Sequence, residues 1–331
     1  MPRPPLTDSF GRVARDLRVS VTDRCNFRCV YCMPADGLDW MPKDEVLSFE
    51  EISRLVTIFV DLGIDTVRIT GGEPLVRTGV EHLVGLLAAA HPTLDMSMTT
   101  NGFRLAELAP GLAAAGLDRV NVSLDSLQPG RFHEITRRDA LDRVVEGLAA
   151  AAAAGLQPVK VNAVMVRGVN DDEAVDFATL ARTHDYHVRF IEYMPLDAGH
   201  QWTQEHVVPS AELLAQIEAR YPLVRADEDG PEPAVRHLFA DGAPGSVGFI
   251  SSVSEPFCGS CDRLRLTADG HLRTCLFALD EHDLKGPLRA GAADEELAAI
   301  IRSAVAGKWA GHRIGAADFV APARSMSQIG G

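Results

Sequence analysis

The sequence predicts an α/β fold of parallel strands with helices outside, and three observations carry that expectation. Short runs rich in β-branched residues alternate with longer amphipathic patterns six times between residues 17 and 192. Strand, helix and strand in series imply parallel strands joined by crossover helices. The strand runs carry polar residues at or near their ends, namely Thr99, Ser123, Asp125, Lys160 and Glu192. That pattern suits the C-terminal mouth of a barrel better than a flat sheet buried on both faces. Six units fall short of eight, so the expected architecture is a partial (βα)6 barrel followed by a smaller C-terminal α+β domain.

Strands are expected at 17–22, 66–70, 95–99, 119–124, 159–166 and 187–192. Helical patterns lie between them at 49–62, 79–90, 104–115, 141–154 and 172–183. Ser48, followed three residues later by Glu51, forms a capping box for the first helix. The alanine run 149–154 is a strong helix former on an outer helix. After Met194 the pattern changes, and 221–245 is rich in Pro, Gly and acid, which reads as loop. That divides the chain into a barrel at 1–220 and a second domain at 221–331. The second domain should hold strands near 247–251, 263–267 and 271–274 and a helix near 294–305.

The chain has 331 residues, 46% apolar, long enough to bury a core without disulfides. With 46 acidic against 32 basic residues, its formal charge is −14. That balance disfavours nucleic acid and anionic membranes as partners. The first ten residues have no apolar core, and the run 83–90 is far short of the ~20 residues that span a bilayer. The expectation is a cytoplasmic protein. In a reducing compartment its six cysteines are metal ligands or reactive thiols rather than disulfides.

Those cysteines fall into two triads. Cys25, Cys29 and Cys32 follow the first strand with C-x3-C-x2-C spacing. Three thiolates on one loop hold three irons of a cubane cluster and leave the fourth iron open for a ligand. A zinc knuckle is the competing reading. Cys258, Cys261 and Cys275 form a C-x2-C-x13-C set that also lacks a fourth cysteine. Either His271 or His282 completes a zinc site there, or the triad carries a second cluster with its own open iron. Arg263 and Arg265 alternate along the strand between these cysteines and share a face, with Arg273 further on. Arg18 precedes the first triad and Arg68 lies four residues before Gly72. Arginine forks match phosphate oxygens, so an anion site at the barrel mouth is expected despite the negative net charge.

The stretch DRCNFRCVYCMP, followed one strand later by GGEP at 71–74, resembles the radical S-adenosylmethionine (SAM) superfamily. With RITGGEPL, TTNG, NVSLDSL, RFIEYMP, FCGSCDRLRLTADGHLRTCL and the terminal MSQIGG, the whole chain resembles the GTP 3′,8-cyclase family of molybdenum cofactor biosynthesis. The resemblance implies that Cys25, Cys29 and Cys32 hold the [4Fe-4S] cluster that reduces SAM. It places Tyr31, Gly72, Ser123 and Met194 around SAM. Arg18, Arg68, Thr99 or its neighbour Thr100, Lys160, Arg263, Leu264 and Arg265 fall at positions that contact GTP, and Arg18, Gly330 and Gly331 at catalytic ones. Cys258, Cys261 and Cys275 would hold a second [4Fe-4S] cluster whose open iron binds guanine. In this family a 5′-deoxyadenosyl radical takes the 3′ hydrogen of GTP and C3′ joins C8, giving a cyclo-dihydro-GTP. A cyclic pyranopterin monophosphate synthase then acts on that product. A reductant for the cluster and a homodimer complete the implied partners. Two rivals remain at this point, a peptide-modifying radical SAM enzyme and a non-enzymatic iron–sulfur or zinc scaffold.

Overall fold

The computed structural model describes residues 5–197, 199, 201–227 and 232–330. Six βα units run through β1 (Asp16–Ser20), α1 (Phe49–Asp61), β2 (Thr66–Thr70), α2 (Val80–Ala90), β3 (Asp95–Thr100), α3 (Leu105–Ala115), β4 (Arg119–Ser123), α4 (Pro129–Thr136), α5 (Leu141–Ala153), β5 (Lys160–Met165), α6 (Ala174–His184) and β6 (His187–Glu192). The remainder contains α7 (Ser210–Glu218), β7 (Leu223–Arg225), β8 (Val235–Phe239), β9 (Ser246–Ile250), β10 (Arg263–Leu266), β11 (His271–Arg273), β12 (His282–Asp283), α8 (Lys285–Arg289), α9 (Asp294–Ala306) and α10 (Met326–Ile329).

Among the described residues the strands form one sheet in the order β12-β11-β10-β1-β2-β3-β4-β5-β6-β9-β8-β7. The six expected strands are adjacent and parallel. The later strands join both edges of that sheet: β10 pairs in parallel with β1, and β9 in parallel with β6. Val19, Val67, Ile69, Val120 and Val161 are fully buried with the inward faces of the helices, such as Leu55 and Phe59 of α1.

The expectation missed β7 and β8, α4 and α7, and the short β12, α8 and α10. The stretch 221–245 contains β7 and β8, an antiparallel pair at the sheet edge. Runs of three and five residues are too short to show a period among acids and prolines. Helices α4 and α7 are likewise unannounced by the sequence pattern, because eight and nine residues give barely two turns of apolar spacing. Arg273, which follows Arg263 and Arg265 along the chain, is buried against Glu281, with its second nitrogen on the Ala278 carbonyl.

Buried acids and arginines pin the loops that follow the strands. Glu192, at the end of β6, accepts from Val253 N and Ser254 N, both at 2.8 Å, and from Ser254 Oγ at 2.5 Å. Arg12, paired with Asp8 at 2.6 Å, reaches the carbonyls of Cys258, Trp309 and Ala310. The N-terminal segment therefore braces the second cysteine loop. No described helix is long and apolar enough to cross a membrane.

The capping box is formed, with Glu51 N donating to Ser48 Oγ at 3.1 Å and Ser48 N to Glu51 Oε2 at 2.7 Å. Replacing Ser48 with Ala should lower stability by about 1 kcal/mol. The expected readout is a lower urea midpoint at unchanged denaturant slope.

Candidate active site

The first triad sits in the loop after β1, at the C-terminal end of the parallel strands. All six cysteines are free thiols. The loop is held by Cys32 N on Cys29 O at 2.9 Å, and by Arg28 and Arg137 on the carbonyls of Cys25 and Arg28, each at 2.7 Å. Gly72 is required by close approach: its N–H reaches Thr22 O at 2.7 Å, and a Cβ there would strike the Asp23 and Arg24 carbonyls. Burial pushes the Cys25 thiol up to about 11, and burial with nearby Cys25 pushes Cys32 up to about 12. Cys29 is likewise raised by burial and by Cys32. Three buried sulfurs within each other's field, and N–H donors from Phe27 on Cys25 and Ser327 on Cys32, fit an iron–sulfur cluster, whose iron stabilises the thiolates.

Tyr31 lies in an adjoining cleft with Val30, Ile135, Val164 and Tyr193. Its hydroxyl donates to Asp125 Oδ2 at 2.5 Å, while Val164 N donates to the other oxygen at 2.8 Å. Burial raises Asp125 to about 6. Met194 lies across the mouth in the central cavity, and Ser123 at the end of β4. The Glu73 carboxylate accepts from Leu75 N, Thr100 Oγ1 and Asn101 N. Burial lifts it to about 7.

The second triad faces a row of arginines. Strand register places Arg68, Arg18 and Arg265 side by side on β2, β1 and β10. Arg18, Arg68, Thr99, Arg263, Arg265, Met194 and all three cysteines of the triad line one cavity. Burial, with Arg265 and Arg68 alongside, holds the Arg18 guanidinium well below the ordinary arginine range. Burial and Arg263 bring Arg265 down to about 10. Arg18 Nε is buried with no hydrogen-bond partner, so the row has unmet capacity for an anion. Thr99 faces this cavity, whereas Thr100 is spent on Glu73.

Two residues that the sequence did not single out surround the second triad. Lys308, almost fully buried, donates to the carbonyls of Cys261 at 3.0 Å and Arg263 at 2.9 Å and stands 3.7 Å from Cys261 Sγ. His312, whose Nε2 meets the Ser252 carbonyl at 2.8 Å and whose Nδ1 accepts from Ile314 N at 3.3 Å, stands beside Cys258. Burial raises the Cys261 thiol, but Arg263 and Lys308 outweigh it and bring it to about 7. Cys258 is lowered in the same way, burial being outweighed by His312. A Cβ on Gly311 would lie 3.3 Å from Cys258 Sγ, so the loop closes tightly over this sulfur. Three free sulfurs with N–H donors suit a cluster here too. His271 is instead paired with Asp269 at 3.2 Å, and His282 sits opposite Leu272 in the sheet; neither lines the cavity. No sequence spacing signals Lys308 or His312, which lie 33 or more residues beyond Cys275.

The tail enters between the triads. Ser327 N donates to Cys32, Ser20 Oγ donates to Ile329 O at 3.3 Å, and Arg265 donates to Gly330 O. A Cβ on Gly330 would collide with Ser20 Oγ, which requires glycine there. Gly331 lies outside the described residues. Leu264, between the two arginines, is buried in the main core and does not line the cavity. Lys160 lies in a neighbouring cavity with Arg189 and Glu232.

A parallel βα sheet with a cysteine triad, Gly72 and Tyr31 at the C-terminal mouth defines a radical SAM enzyme. The Radical SAM superfamily model matches residues 19–181, and the model described as Molybdenum Cofactor Synthesis C matches 186–314. The chain is 54% identical over 329 residues to the GTP 3′,8-cyclase of Streptomyces coelicolor, covering 98% of this chain and 96% of that protein. It is 51% identical to the GTP 3′,8-cyclase of Mycolicibacterium smegmatis, covering 99% and 92%. The chain belongs to the GTP 3′,8-cyclase family. Its fold is shared with Streptococcus suis SuiB bound to precursor peptide SuiA, at TM-score 0.60 and 14% identity over 89% of this chain and 68% of that one. Methylornithine synthase is similar at TM-score 0.54 and 14% identity, over 87% and 86%.

The contrast between the triads sets a pH test on the cluster-free protein. At pH 8 a thiol at about 7 is about 90% thiolate, whereas one at about 11 is about 0.1%. Iodoacetamide should therefore label Cys261 well before Cys25 or Cys32, with labelling of the latter rising only above pH 10. Peptide mass spectrometry against time reads the order. Lys308→Met should raise the Cys261 thiol and slow its labelling.

Proposed function

We propose that this chain converts GTP to 3′,8-cyclo-7,8-dihydro-GTP in the molybdenum cofactor pathway, with guanine directed to the second triad and the phosphates to the arginine row. The observation that carries the reading is the one cavity in which Cys258, Cys261 and Cys275 stand with Arg18, Arg68, Arg263 and Arg265. Cys25, Cys29 and Cys32 would hold the first [4Fe-4S] cluster, which would supply one-electron reduction of SAM. Tyr31, Gly72, Ser123 and Met194 border the position of SAM. Cys258, Cys261 and Cys275 would hold a second [4Fe-4S] cluster in this reading, with Lys308 donating to the Cys261 sulfur and His312 beside Cys258.

The chain's own groups bind and orient. Guanidiniums neutralise the polyphosphate, and the unpartnered Nε of Arg18 makes that binding directional. Fixing guanine at one end and phosphates at the other restrains the ribose, which suits removal of one hydrogen at C3′ and closure onto C8. Gly330, packed on Ser20 and Arg265, brings the tail to the same place without side-chain bulk. A cytoplasmic location, a low-potential reductant, a homodimer and a cyclic pyranopterin monophosphate synthase as the next enzyme belong to the same reading.

Anaerobic incubation with SAM, dithionite and GTP should yield the cyclo-dihydro nucleotide and 5′-deoxyadenosine. The reconstituted protein should carry close to two clusters, and Ala at Cys25, Cys29 and Cys32 together should leave one. Stoichiometric zinc at the second triad would remove that half of the reading. Arg263→Ala or Arg265→Ala should weaken GTP binding by ~1.5–3 kcal/mol while SAM cleavage without GTP persists. Unchanged GTP affinity would assign both arginines to structure alone.

A further inference from the structure

Glu232 lies on the segment that leads into β8. Its carboxylate is 3.0 Å from Lys160 Nζ and 3.0 Å from Arg189 Nη2, with its second oxygen 3.2 Å from the same arginine nitrogen. The two cations are built into adjacent strands, β5 and β6, and their side chains are only 10% and 7% exposed. The acid is 51% exposed and arrives from a connection rather than from the sheet. A buried pair of cations that belongs to the frame is thus neutralised by an anion that does not.

The place of this pair matters more than its strength. Arg189 lines both the central cavity and the neighbouring one that contains Lys160. The central cavity is about 160 Å³, below the ~300–1,000 Å³ of ligand pockets, while its neighbour is about 590 Å³. A nucleotide seated at the second triad therefore extends past Arg189 toward Lys160. Burial and Arg189 bring the Lys160 ammonium down to about 8, and Glu232 opposes that loss.

We propose that Glu232 is an internal stand-in for substrate phosphate: it neutralises Lys160 and Arg189 in the GTP-free enzyme, and the phosphates must displace it to bind. The proposal rests on the reading that GTP phosphates reach Lys160. Glu232 keeps both cations charged and ordered before substrate arrives, and it limits the hold on phosphate so that a triphosphate product can leave. If it occupies them about nine-tenths of the time, apparent phosphate affinity falls about tenfold.

The test is anaerobic equilibrium binding to the cluster-loaded enzyme, using GTP, inorganic tripolyphosphate and guanosine. Glu232→Gln, nearly isosteric at a half-exposed site, should bind GTP and tripolyphosphate about tenfold more tightly. Guanosine affinity should not change, which also serves as the folding control, and Glu232→Asp should fall between. Unchanged or weaker GTP and tripolyphosphate binding by Glu232→Gln would overturn the proposal. Lys160→Gln separates the two failures. If it weakens GTP binding while Glu232→Gln has no effect, the phosphate seat stands and the stand-in fails. If Lys160→Gln leaves GTP binding unchanged, the seat itself is elsewhere and the stand-in falls with it.

Discussion

Three arginines side by side across neighbouring strands, Arg68, Arg18 and Arg265, are the constraint around which this molecule is arranged. Like charges directly opposite in a sheet are unfavourable, and burial makes them more so. Asp16, 3.9 Å from Arg68, and the Gly330 carbonyl compensate only in part. Elsewhere arginines are matched: half-buried Arg131 with buried Glu173 at 2.6 Å, and buried Arg189 and Arg273 with Glu232 and Glu281. A chain of net charge −14 has acids enough to pair this row as well. Leaving it underpaired is sensible when the missing anion is a ligand.

The two cysteine triads are set in opposite electrostatic surroundings. Around Cys25, Cys29 and Cys32 burial dominates, and Glu73 and Asp125 add negative charge. Around Cys258 and Cys261 a lysine, an arginine and a histidine favour thiolate. Clusters respond to hydrogen bonds and nearby charge through their reduction potentials, so these surroundings suit two centres with different tasks. The tail lies by both, Ser327 beside Cys32 and Ile329 in an apolar cluster against which Cys275 packs, which makes the C-terminus a structural link between them.

Much of this was legible in the sequence because the signals are local. The six parallel strands follow from alternation, and β2 and β6 occupy the residues that alternation predicts. The triads are short-range spacings, and Arg263 and Arg265 share a face through the two-residue period of a strand. What was not legible is long-range. Lys308 and His312 reach the second triad through loop geometry, and Glu232 reaches Lys160 across 72 residues. The pairing of Arg18 with Arg265 depends on β10 docking beside β1, an arrangement that periodicity does not encode. Arg273, beyond the hairpin from Arg263 and Arg265, is taken instead by the neighbouring Glu281.

That docking explains how one cavity draws on both ends of the chain. By adding β10 to one edge of the six-stranded sheet and β9 to the other, the C-terminal segment sets its cysteine loop by the N-terminal ends of β1 and β10, across the sheet's strand length from the first triad, which follows the C-terminal end of β1. Arg12 and Glu192 then hold that loop from opposite directions, one through the Cys258 carbonyl and the other through Val253 and Ser254. The distance between the triads is consequently set by strand pairing and buried hydrogen bonds rather than by a flexible linker. A reaction that must move one hydrogen between two bound molecules needs reacting atoms at near-contact separation, and continuous sheet across the junction is a direct way for a polypeptide to enforce it.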